Sequence, residues 1–571
     1  MSNNPPSTIV VTERVDDIPL LIHQLKQMKL PQLLDAHFPT HGNWTGTSLG
    51  WTATIWLTYI LSQADHRLNK VQDWIAQHIE ILSKCTGQTI SDLNFADDRL
   101  SAILRHLNED NTWENYEQDQ GKHLIRVYEL PSDRVRLDTT TASTYQAPTL
   151  NGLFQLGHSK DHRPDLAQVK IMLASLDPLG LPLATEIVDG SRADDPLYEP
   201  TIEQVRATLN RSGVLYVGDS KMAAESIRAS IANNNDHYLM PLPATIIPTK
   251  VLDTYLEPVL ESSQALTNIY RELANGSTHK IAEGYECIST NKVERDGQVI
   301  VWEERRLVIR SFKYALAQEK SLGKRLTKAK EAIAKLTIRR QGKKCLTSLV
   351  KVKIAADEIL KRYSVKGLLQ VQASEILVKR HIRPYLDRPA RTETNRQLSV
   401  SVQTNETALE EAIYRLGWRI YATNAHKESL SISEALLAYR DQYLAERGFG
   451  RLKGQALSLA PMYLQRDDHA TGLIRLLTIG LRVLTLIEFV VRRNLSGASI
   501  AGIYAGNPKR ETKRPTAEAI LSAFKNLNWV IIKSFEILSY FTPLSELQQG
   551  ILNLLGFPHT IYTPRLENNF V

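Results

Sequence analysis

The stretch Val214-Leu-Tyr-Val-Gly-Asp219 decides the fold class of this 571-residue chain, because it is almost entirely apolar and ends in an acid. A short apolar run of this kind is typical of a strand that is buried on both faces and runs parallel to its neighbours. Helical patterns flank it at residues 200–209 and 223–233, and a further strand follows at residues 237–241. The alternation of strands and helices predicts an α/β sheet.

Three earlier strands extend this sheet. They are predicted at residues 134–141, 168–176 and 181–188, and the turn Asp177-Pro-Leu-Gly180 joins the last two as a hairpin. The order along the chain is therefore strand, strand, strand, helix, strand, helix, strand. Three antiparallel strands followed by parallel ones is the order of a ribonuclease-H-like core.

The sequence on either side of these strands predicts a chain of several parts. We expect a mainly α-helical N-terminal domain that binds DNA or mediates oligomerisation (1–125), the first part of the core (130–244), a β-rich and helical insertion (245–412), the last core strand with an acid-bearing helix (413–495), and a helical C-terminal region (496–571). Within these parts, the polar stretch 109–121 predicts a loop. Residues 365–373 and 419–423 predict a strand pair, and residues 516–540 predict a final helical piece.

The composition excludes several classes of protein. Hydrophobic residues are 43% and charged residues 23% of the chain, which is close to the average of globular proteins and excludes a wholly disordered or fibrous chain. Three scattered cysteines do not make a disulfide scaffold and favour a reducing cytoplasm. The first residues show no secretory signal pattern. The apolar run from Leu473 to Val491 contains Arg475, Arg482 and Glu488, so we expect a packed helix and no membrane span.

The positive charge is concentrated in one segment. Residues 305–383 contain 22 Lys and Arg against 5 Asp and Glu, a local excess of +17, whereas the chain as a whole carries +7 and the remainder therefore −10. A basic segment on an otherwise acidic protein is expected of a protein that binds a phosphate backbone. The alternative is a lysine-rich helix face in solvent.

Two acids stand at the ends of predicted strands. Asp138 follows Val-Arg-Leu, and Asp219 ends the stretch quoted first. Ligands bind at the carboxyl ends of the strands in open α/β sheets, and neighbouring carboxylates attract a hard divalent cation such as Mg²⁺. An Asp at the end of a strand is more often a helix cap or a turn residue when it is taken alone.

A third acid lies in a predicted helix. Tyr439, Glu446 and Lys453 are seven residues apart, two helical turns each, so one face would carry a hydroxyl, a carboxylate and an ammonium group. The carboxylate could complete a two-metal site while Tyr and Lys hold a phosphate. The alternative is an amphipathic helix whose charges face solvent.

Three segments together give a family resemblance over about residues 15–540. They are Arg136-Leu-Asp138-Thr-Thr-Thr with Gly157-His158-Ser-Lys160-Asp161-His-Arg163, then Val-Gly-Asp219-Ser-Lys221-Met, and then Glu446-Arg-Gly-Phe-Gly-Arg-Leu-Lys453. With these segments the chain resembles the DDE transposases of bacterial insertion sequences, in the superfamily named after insertion sequence four. The last segment resembles the Tyr-Arg-Glu-Lys signature of that superfamily. The Arg of the signature falls on Gln442 here, and the nearby Arg440 points about 100° away from Tyr439 on a helix.

The resemblance implies a ribonuclease-H-like catalytic core interrupted by an insertion between the second and third acids. It implies that Asp138, Asp219 and Glu446 are catalytic and bind two Mg²⁺ ions, with Mn²⁺ able to substitute. Residues that would contact DNA are Tyr439, Lys453, Lys160, Arg163, Lys221 and Arg440. The implied partners are the terminal inverted repeats of the element, target DNA and a second copy of the chain, and the implied location is the bacterial cytoplasm, at the nucleoid when DNA is bound.

Three other functions share part of this pattern. A two-metal nuclease would use the same acids but would cut without joining strands. A transposase-derived DNA-binding protein would have lost catalysis, which the three intact acids disfavour and Gln442 favours. A glycosidase also uses paired carboxylates, but the basic segment and the Tyr and Lys beside Glu446 fit a phosphate better than a sugar.

Overall fold

The structure is a computed structural model that describes residues 9–273, 276–295, 297–338, 346, 348–384, 389–533 and 537–563. The chain divides into two compact units. Unit 1 contains the residues up to Met240, residues 290–302 and the residues from Ala435 onward, whereas unit 2 contains residues 241–289 and 303–434. The three candidate acids all belong to unit 1. The five-part division expected from the sequence remains a prediction.

The described part of unit 1 begins with a strand, which a series of α-helices follows. These are β1 (Ile9–Arg14), α1 (Ile18–Gln27), α2 (Leu30–His37), α3 (Leu49–Gln63), α4 (Val71–Ala76), α5 (Ile79–Thr86), α6 (Asp97–Leu107) and α7 (Asp110–Tyr128). Helix α3 is buried on nearly every side. Its N-cap is Ser48, whose side chain accepts a hydrogen bond from the Trp51 backbone N–H.

Helix α7 corrects the loop predicted at residues 109–121. Its buried side includes the apolar Trp113 and Tyr116 but also the polar Glu117 and Gln120, so no apolar periodicity is visible in the sequence. The Arg482 guanidinium forms an ion pair with Glu117 and donates a hydrogen bond of 2.5 Å to Gln120 Oε1. Because their partner lies more than 360 residues away in the chain, the burial of these polar groups could not be predicted locally.

The central sheet of unit 1 has the predicted order of elements. They are β2 (Arg134–Thr144), β3 (Ala167–Leu176), β4 (Leu181–Asp189), α8 (Asp195–Leu209), β5 (Leu215–Val217), α9 (Glu225–Asn233) and β6 (His237–Pro241). The strands lie in the order β4-β3-β2-β5-β6. Strand β3 is antiparallel to β2 and β4, whereas β2, β5 and β6 are parallel. The fold is therefore mixed α/β.

In the described residues of unit 2, two β structures and four α-helices are present. Its elements, some of which extend past the unit boundary, are α10 (Thr249–Leu260), β7 (Thr267–Glu272), β8 (Thr278–Arg295), β9 (Gln298–Ser311), α11 (Phe312–Ala334), α12 (Leu349–Arg362), β10 (Leu369–Ile382), β11 (Arg391–Thr404), α13 (Glu406–Tyr414) and β12 (Trp418–Thr423). Strands β12, β9, β8 and β7 are neighbours in that order, and β10 and β11 form a separate two-stranded sheet. The predicted pairing of residues 365–373 with 419–423 is wrong, since β12 pairs with β9.

The basic segment forms helices with one apolar face each. In α11 the buried residues Leu322, Leu326, Ala329 and Ile333 recur every three or four positions and pack on α12. The lysines at 313, 320, 324 and 328 are exposed on the rest of α11. Residues 339–345 and 347 of the basic segment lie outside the described residues. Residues 1–8, whose sequence shows no secretory signal pattern, also lie outside them.

The chain returns to unit 1 through helices and two strands. They are α14 (Ile432–Arg440), α15 (Tyr443–Lys453), α16 (Asp467–Leu495), α17 (Ala517–Ser522), β13 (Asn528–Lys533), β14 (Ile537–Phe541) and α18 (Glu546–Leu555). The helical piece predicted at residues 516–540 is thus only partly helical. The run Trp529-Val-Ile-Ile532 is β-prone, and β13 pairs antiparallel with both β14 and the N-terminal β1.

The 29-residue helix α16 forms the core of unit 1, and its charges are paired. Arg475 donates a hydrogen bond of 2.8 Å to the Leu107 carbonyl and contacts Asp110, and Arg482 binds Glu117. Among the described residues, none of the helices has the length and hydropathy needed to cross a membrane.

We predict that the pair between Arg482 and Glu117 is a major contribution to the stability of unit 1. Glu117→Ala would leave a guanidinium that is 1% exposed without its carboxylate, so we expect the free energy of unfolding to fall by about 3–5 kcal/mol. Glu114→Ala on the exposed side of α7 is the matched control and should change it by less than about 0.5 kcal/mol. Urea denaturation followed by circular dichroism measures both, and equal losses would contradict the prediction.

Candidate functional site

The strand register brings the first two acids together beyond the last paired residues of β2 and β5, although Asp138 does not end its strand as predicted, because β2 continues to Thr144 in its pairing with β3. In the parallel pair of β2 and β5, Arg136 lies opposite Val217, so Asp138 and Asp219 each follow two residues beyond a paired position. Asp138 Oδ1 accepts a hydrogen bond of 2.8 Å from the Thr139 backbone N–H. Asp219 caps the short turn that follows β5, with its Oδ1 2.8 Å from the Lys221 backbone N.

The electrostatic environment of Asp138 connects all three acids. Its side chain is 13% exposed, and its pKa is raised to about 6. Burial is the main cause, and the negative charges of Asp219 and Glu446 raise the pKa further while Lys160 lowers it. The acids predicted from three distant segments therefore lie close enough to interact.

Helix α15 carries the third acid along β2. Glu446 is exposed in its first turn. In its last turn, Lys453 Nζ lies 3.3 Å from the Thr141 carbonyl oxygen of β2 and 2.5 Å from Asp161 Oδ1. The lysine predicted to hold a phosphate is thus bound to a carboxylate in this structure.

The predicted helical face with Tyr439 is interrupted. Tyr439 and Arg440 end α14, and residues 441–442 form a turn before α15 begins at Tyr443. Gln442, which stands at the position of the signature Arg, is the N-cap of α15 and makes no side-chain cap hydrogen bond. The seven-residue spacing therefore spans two helices rather than one.

The other predicted DNA-binding residues lie at different places. Lys160 Nζ is 3.7 Å from Asp138 Oδ1 and donates a hydrogen bond of 2.6 Å to the Thr139 carbonyl. Arg163 is bound to the exposed Asp165 in the same loop. Lys221 is exposed, with its Nζ 3.9 Å from Asp195 Oδ1. Lys160 is therefore the one of these three whose described side-chain contacts reach a candidate acid, whereas Lys221 contacts Asp219 through its backbone N–H.

Sequence analysis missed several residues that support the acids. The buried Tyr198 donates a hydrogen bond of 2.7 Å to Asp219 Oδ1, and its pKa is raised well above its usual value by burial and then by Asp219. Asp194 lies 2.6 Å from Lys170 Nζ and 4.0 Å from Lys160 Nζ. Burial raises the pKa of Asp194, but Lys170 and Lys160 lower it by more, so the pKa is below its usual value. These residues lie on other elements, and no local pattern connects them to the acids.

A buried arginine connects β2 to the end of α14. Arg136 Nη2 donates hydrogen bonds of 2.7 Å to Asp177 Oδ2 and 2.6 Å to the Ala438 carbonyl. Asp177 also pairs with Arg134 at 2.9 Å. The residue after Ala438 is Tyr439, so this contact fixes where α14 ends with respect to the strand of Asp138.

The donor atoms fit a hard divalent cation. Within the part of the chain that the structure describes, no three His, Cys, Asp or Glu side chains are grouped closely enough to hold a metal ion. The three candidates nevertheless supply only carboxylate oxygens, and a buried carboxylate whose pKa two other acids raise is a group that a nearby cation would stabilise.

The sequence matches the family described as "Transposase DDE domain" over residues 133–481, which is more than half of the chain and includes all three acids. No curated protein matches the sequence. Among solved structures, the chain is similar to the cryo-EM structure of the piggyBac transposase synaptic complex with hairpin DNA, with 9% identity and a TM-score of 0.25. The similarity covers 50% of this chain and 60% of that chain, less than two thirds of its length. A TM-score this low establishes no common fold.

We predict a pH-dependent stabilisation by Asp138→Asn in protein stripped of divalent ions. The pKa of Asp138 is raised from 3.8 to about 6 on folding, so its ionisation opposes folding above pH 6 and this cost disappears as the pH falls towards 4. The variant should be more stable by about 2–3 kcal/mol at pH 7.5 and by less than about 1 kcal/mol at pH 4. Urea unfolding in EDTA at several pH values measures this, and a difference that does not change with pH would show that Asn acts through packing.

Proposed function

The chain belongs to the transposase DDE domain family, and on that premise we propose that it cuts DNA at the ends of an insertion element and joins the freed ends to target DNA. The observation that carries this proposal is the register of β2 against β5, which brings Asp138 beside Asp219, together with the rise in the pKa of Asp138 to which both Asp219 and Glu446 contribute. The family name describes two Asp residues followed by a Glu. The chain has them in that order, with one Asp in β2, one Asp after the parallel β5 and the Glu on a later helix.

We further propose that the core is ribonuclease-H-like and that the element is a bacterial insertion sequence of the superfamily named after insertion sequence four. The strand order β4-β3-β2-β5-β6, with three antiparallel strands followed by parallel ones, supports the first part. The segment from Glu446 to Lys453 supports the second. Unit 2 lies between the second and third acids in the sequence, which supports an insertion at this place in the chain.

Asp138, Asp219 and Glu446 would hold the divalent ions, two Mg²⁺ with Mn²⁺ as a substitute. When bound, such ions activate the attacking oxygen and stabilise the leaving oxygen of a phosphodiester. Tyr198 keeps one oxygen of Asp219 engaged in a hydrogen bond, so the orientation of that carboxylate is fixed before a cation arrives.

Lysines beside the acids would orient the phosphate that is cut. Lys453 and Lys160 both lie against β2, at Thr141 and Thr139 respectively. A phosphate entering this edge would replace Asp161 as the partner of Lys453, because both are oxygen anions and the phosphate carries more acceptors. Arg163, Lys221, Tyr439 and Arg440 remain proposed DNA contacts at the margin of the site.

The exposed lysines of α11 would follow the DNA backbone outside the site. Contacts of this kind add affinity and salt dependence but do not select a sequence. Because two element ends must be joined to one target, we propose that a homodimer forms the active complex. The DNA partners would be the terminal inverted repeats and the target, and the place of action the bacterial cytoplasm.

The first test is cleavage and joining of a labelled element-end duplex in Mg²⁺ or Mn²⁺. Asp138→Ala, Asp219→Ala and Glu446→Ala should each lower the joined product by about a hundredfold or more, because each removes a ligand of the reacting phosphate's cations. Asp133→Ala is the matched control, since this carboxylate is 79% exposed and precedes the other end of β2.

The outcomes separate three functions. Loss of the product in the three variants but not in Asp133→Ala supports the transposase. Cleavage without joining by the unmodified chain indicates a nuclease, and binding without cleavage that the substitutions leave unchanged indicates a DNA-binding protein that has lost catalysis.

A second prediction concerns the pair of Lys453 and Asp161. Asp161→Asn removes the carboxylate that occupies Lys453, so we expect element-end DNA to bind about 3- to 10-fold more tightly at low salt, whereas Lys453→Gln should weaken binding by a similar factor. Asp133→Asn makes the same change in net charge far from Lys453 and serves as the control in a fluorescence anisotropy titration. An equal gain in Asp133→Asn would contradict a specific role of the pair.

A further inference from the structure

Unit 1 contains a cavity of about 620 Å³ on the side of α15 that faces α16. Its walls come from the β2 entry, the turn after β3, α15, α16 and the segment before α17. The lining residues that matter for its charge are Arg447, Arg451, Arg492, Arg493, Arg514 and Glu488. Five of them are arginines, and Glu488 is the one carboxylate among them.

The arginines are concentrated on that carboxylate. The Glu488 side chain is 3% exposed, and the guanidinium groups of Arg447, Arg451 and Arg492 all contact its two oxygens. Arg451 also binds Glu518 outside the cavity, at 2.8 Å. The five arginines of the lining carry five positive charges, and Glu488 and Glu518 together supply two negative charges. An excess of three positive charges therefore remains around the cavity.

Burial and the excess positive charge lower the pKa of an arginine inside the cavity. The pKa of Arg492 is lowered, first by burial and then by the positive charges of Arg447, Arg514 and Arg451, although Glu488 acts in the opposite direction. Cations held together in this way are stabilised by any anion that can enter. The cavity thus has the electrostatic character of an anion site that Glu488 fills only in part.

The cavity is open to a ligand. Arg514 and Arg493 are exposed, Arg447 and Arg492 are each about 30% exposed at their side chains, and Tyr443 at the rim is 45% exposed. Planar guanidinium groups bind phosphate oxygens in pairs, and several arginines around one anion are the usual means of recognising phosphate. A singly charged carboxylate ligand would leave most of the excess uncompensated.

Helix α15 connects this cavity to the candidate acids. Arg447 follows Glu446 directly and points about 100° away from it around the helix, and Arg451 lies one turn further on the same side as Arg447. One side of α15 therefore carries Glu446 and Lys453 towards β2, and another carries Arg447 and Arg451 to α16.

We propose that this cavity is a second phosphate-binding site, which takes a backbone phosphate of bound DNA at a position separate from the cut bond. The phosphate class follows from the arginines alone, whereas DNA as its source rests on the proposed function. Bound phosphate oxygens would share Arg447 and Arg492 with Glu488 and would recruit Arg514, so occupation of the cavity would fix α15, and with it Glu446, when DNA is present.

The site is tested first without DNA, with pyrophosphate as the probe and isothermal titration calorimetry as the measurement. Arg514→Gln removes an exposed lining cation and leaves the contacts of Glu488 in place, so pyrophosphate binding should weaken by about 3- to 10-fold. Lys513→Gln is the matched control, because this exposed lysine is the neighbouring residue but does not line the cavity. Glu488→Gln should bind pyrophosphate more tightly than the unmodified protein, since it removes the competing carboxylate.

No detectable binding by the unmodified protein, or an equal loss in Arg514→Gln and Lys513→Gln, would overturn the site. The result does not depend on Glu488→Gln folding correctly, because the comparison of the two exposed positions stands by itself. It does not depend on catalysis either, so it can succeed or fail separately from the cleavage assay.

The source of the phosphate is tested by the salt dependence of duplex DNA binding. Each phosphate contact contributes about 0.9 to the slope of log K against log salt, so Arg514→Gln should reduce the slope by about 1 and Lys513→Gln should leave it unchanged. A changed pyrophosphate affinity with an unchanged DNA slope would overturn the assignment to DNA and would identify the cavity as a site for a free phosphate ligand.

Discussion

The position of α15 depends on charged contacts at two of its sides. Arg447 and Arg451 reach the buried Glu488 of α16, and Lys453 reaches Asp161 and the Thr141 carbonyl beside β2. Loss of one partner of a buried pair costs about 3–5 kcal/mol, so the helix cannot turn about its axis without a large loss of stability. Glu446 lies on α15 between these contacts. The contacts of Arg447, Arg451 and Lys453 therefore hold Glu446 near Asp138.

The acids could be predicted from the sequence because their placement follows a local rule. Each Asp lies within or just after a β-prone run, and parallel strands have their carboxyl ends at one edge of a sheet, so Asp138 and Asp219 were expected to meet, although β2 continues past Asp138 to Thr144. The order of strands and helices was predictable for the same reason. The residues that orient the acids were not: Tyr198 lies on a helix whose pattern gives no indication that its hydroxyl binds Asp219.

The errors have a common physical cause, which is pairing over long distances in the chain. Helix α7 looked like a loop because Glu117 and Gln120 are buried against Arg482, a partner that no local window contains. Residues 516–540 were predicted to be helical, but β13 within them pairs with β1, at the opposite end of the sequence. Hydrophobic periodicity reports burial against apolar neighbours, so it fails where polar groups are buried against each other or where a strand adds to a distant edge.

Charge pairing also explains how one protein can keep many cations ready for a polyanion without losing its fold. Lys453 is held by Asp161, Lys160 lies between Asp138 and Asp194, and three arginines share Glu488. Each cation is already partly removed from water, so a phosphate that binds exchanges one anionic partner for another and meets little of the desolvation cost that a free, hydrated cation would impose. The exchange is favourable only where the anion carries more charge or more acceptors than the carboxylate it replaces, and a phosphodiester backbone offers both along its length. Under the proposed function, a site built in this way would discriminate against single carboxylates and respond to nucleic acid.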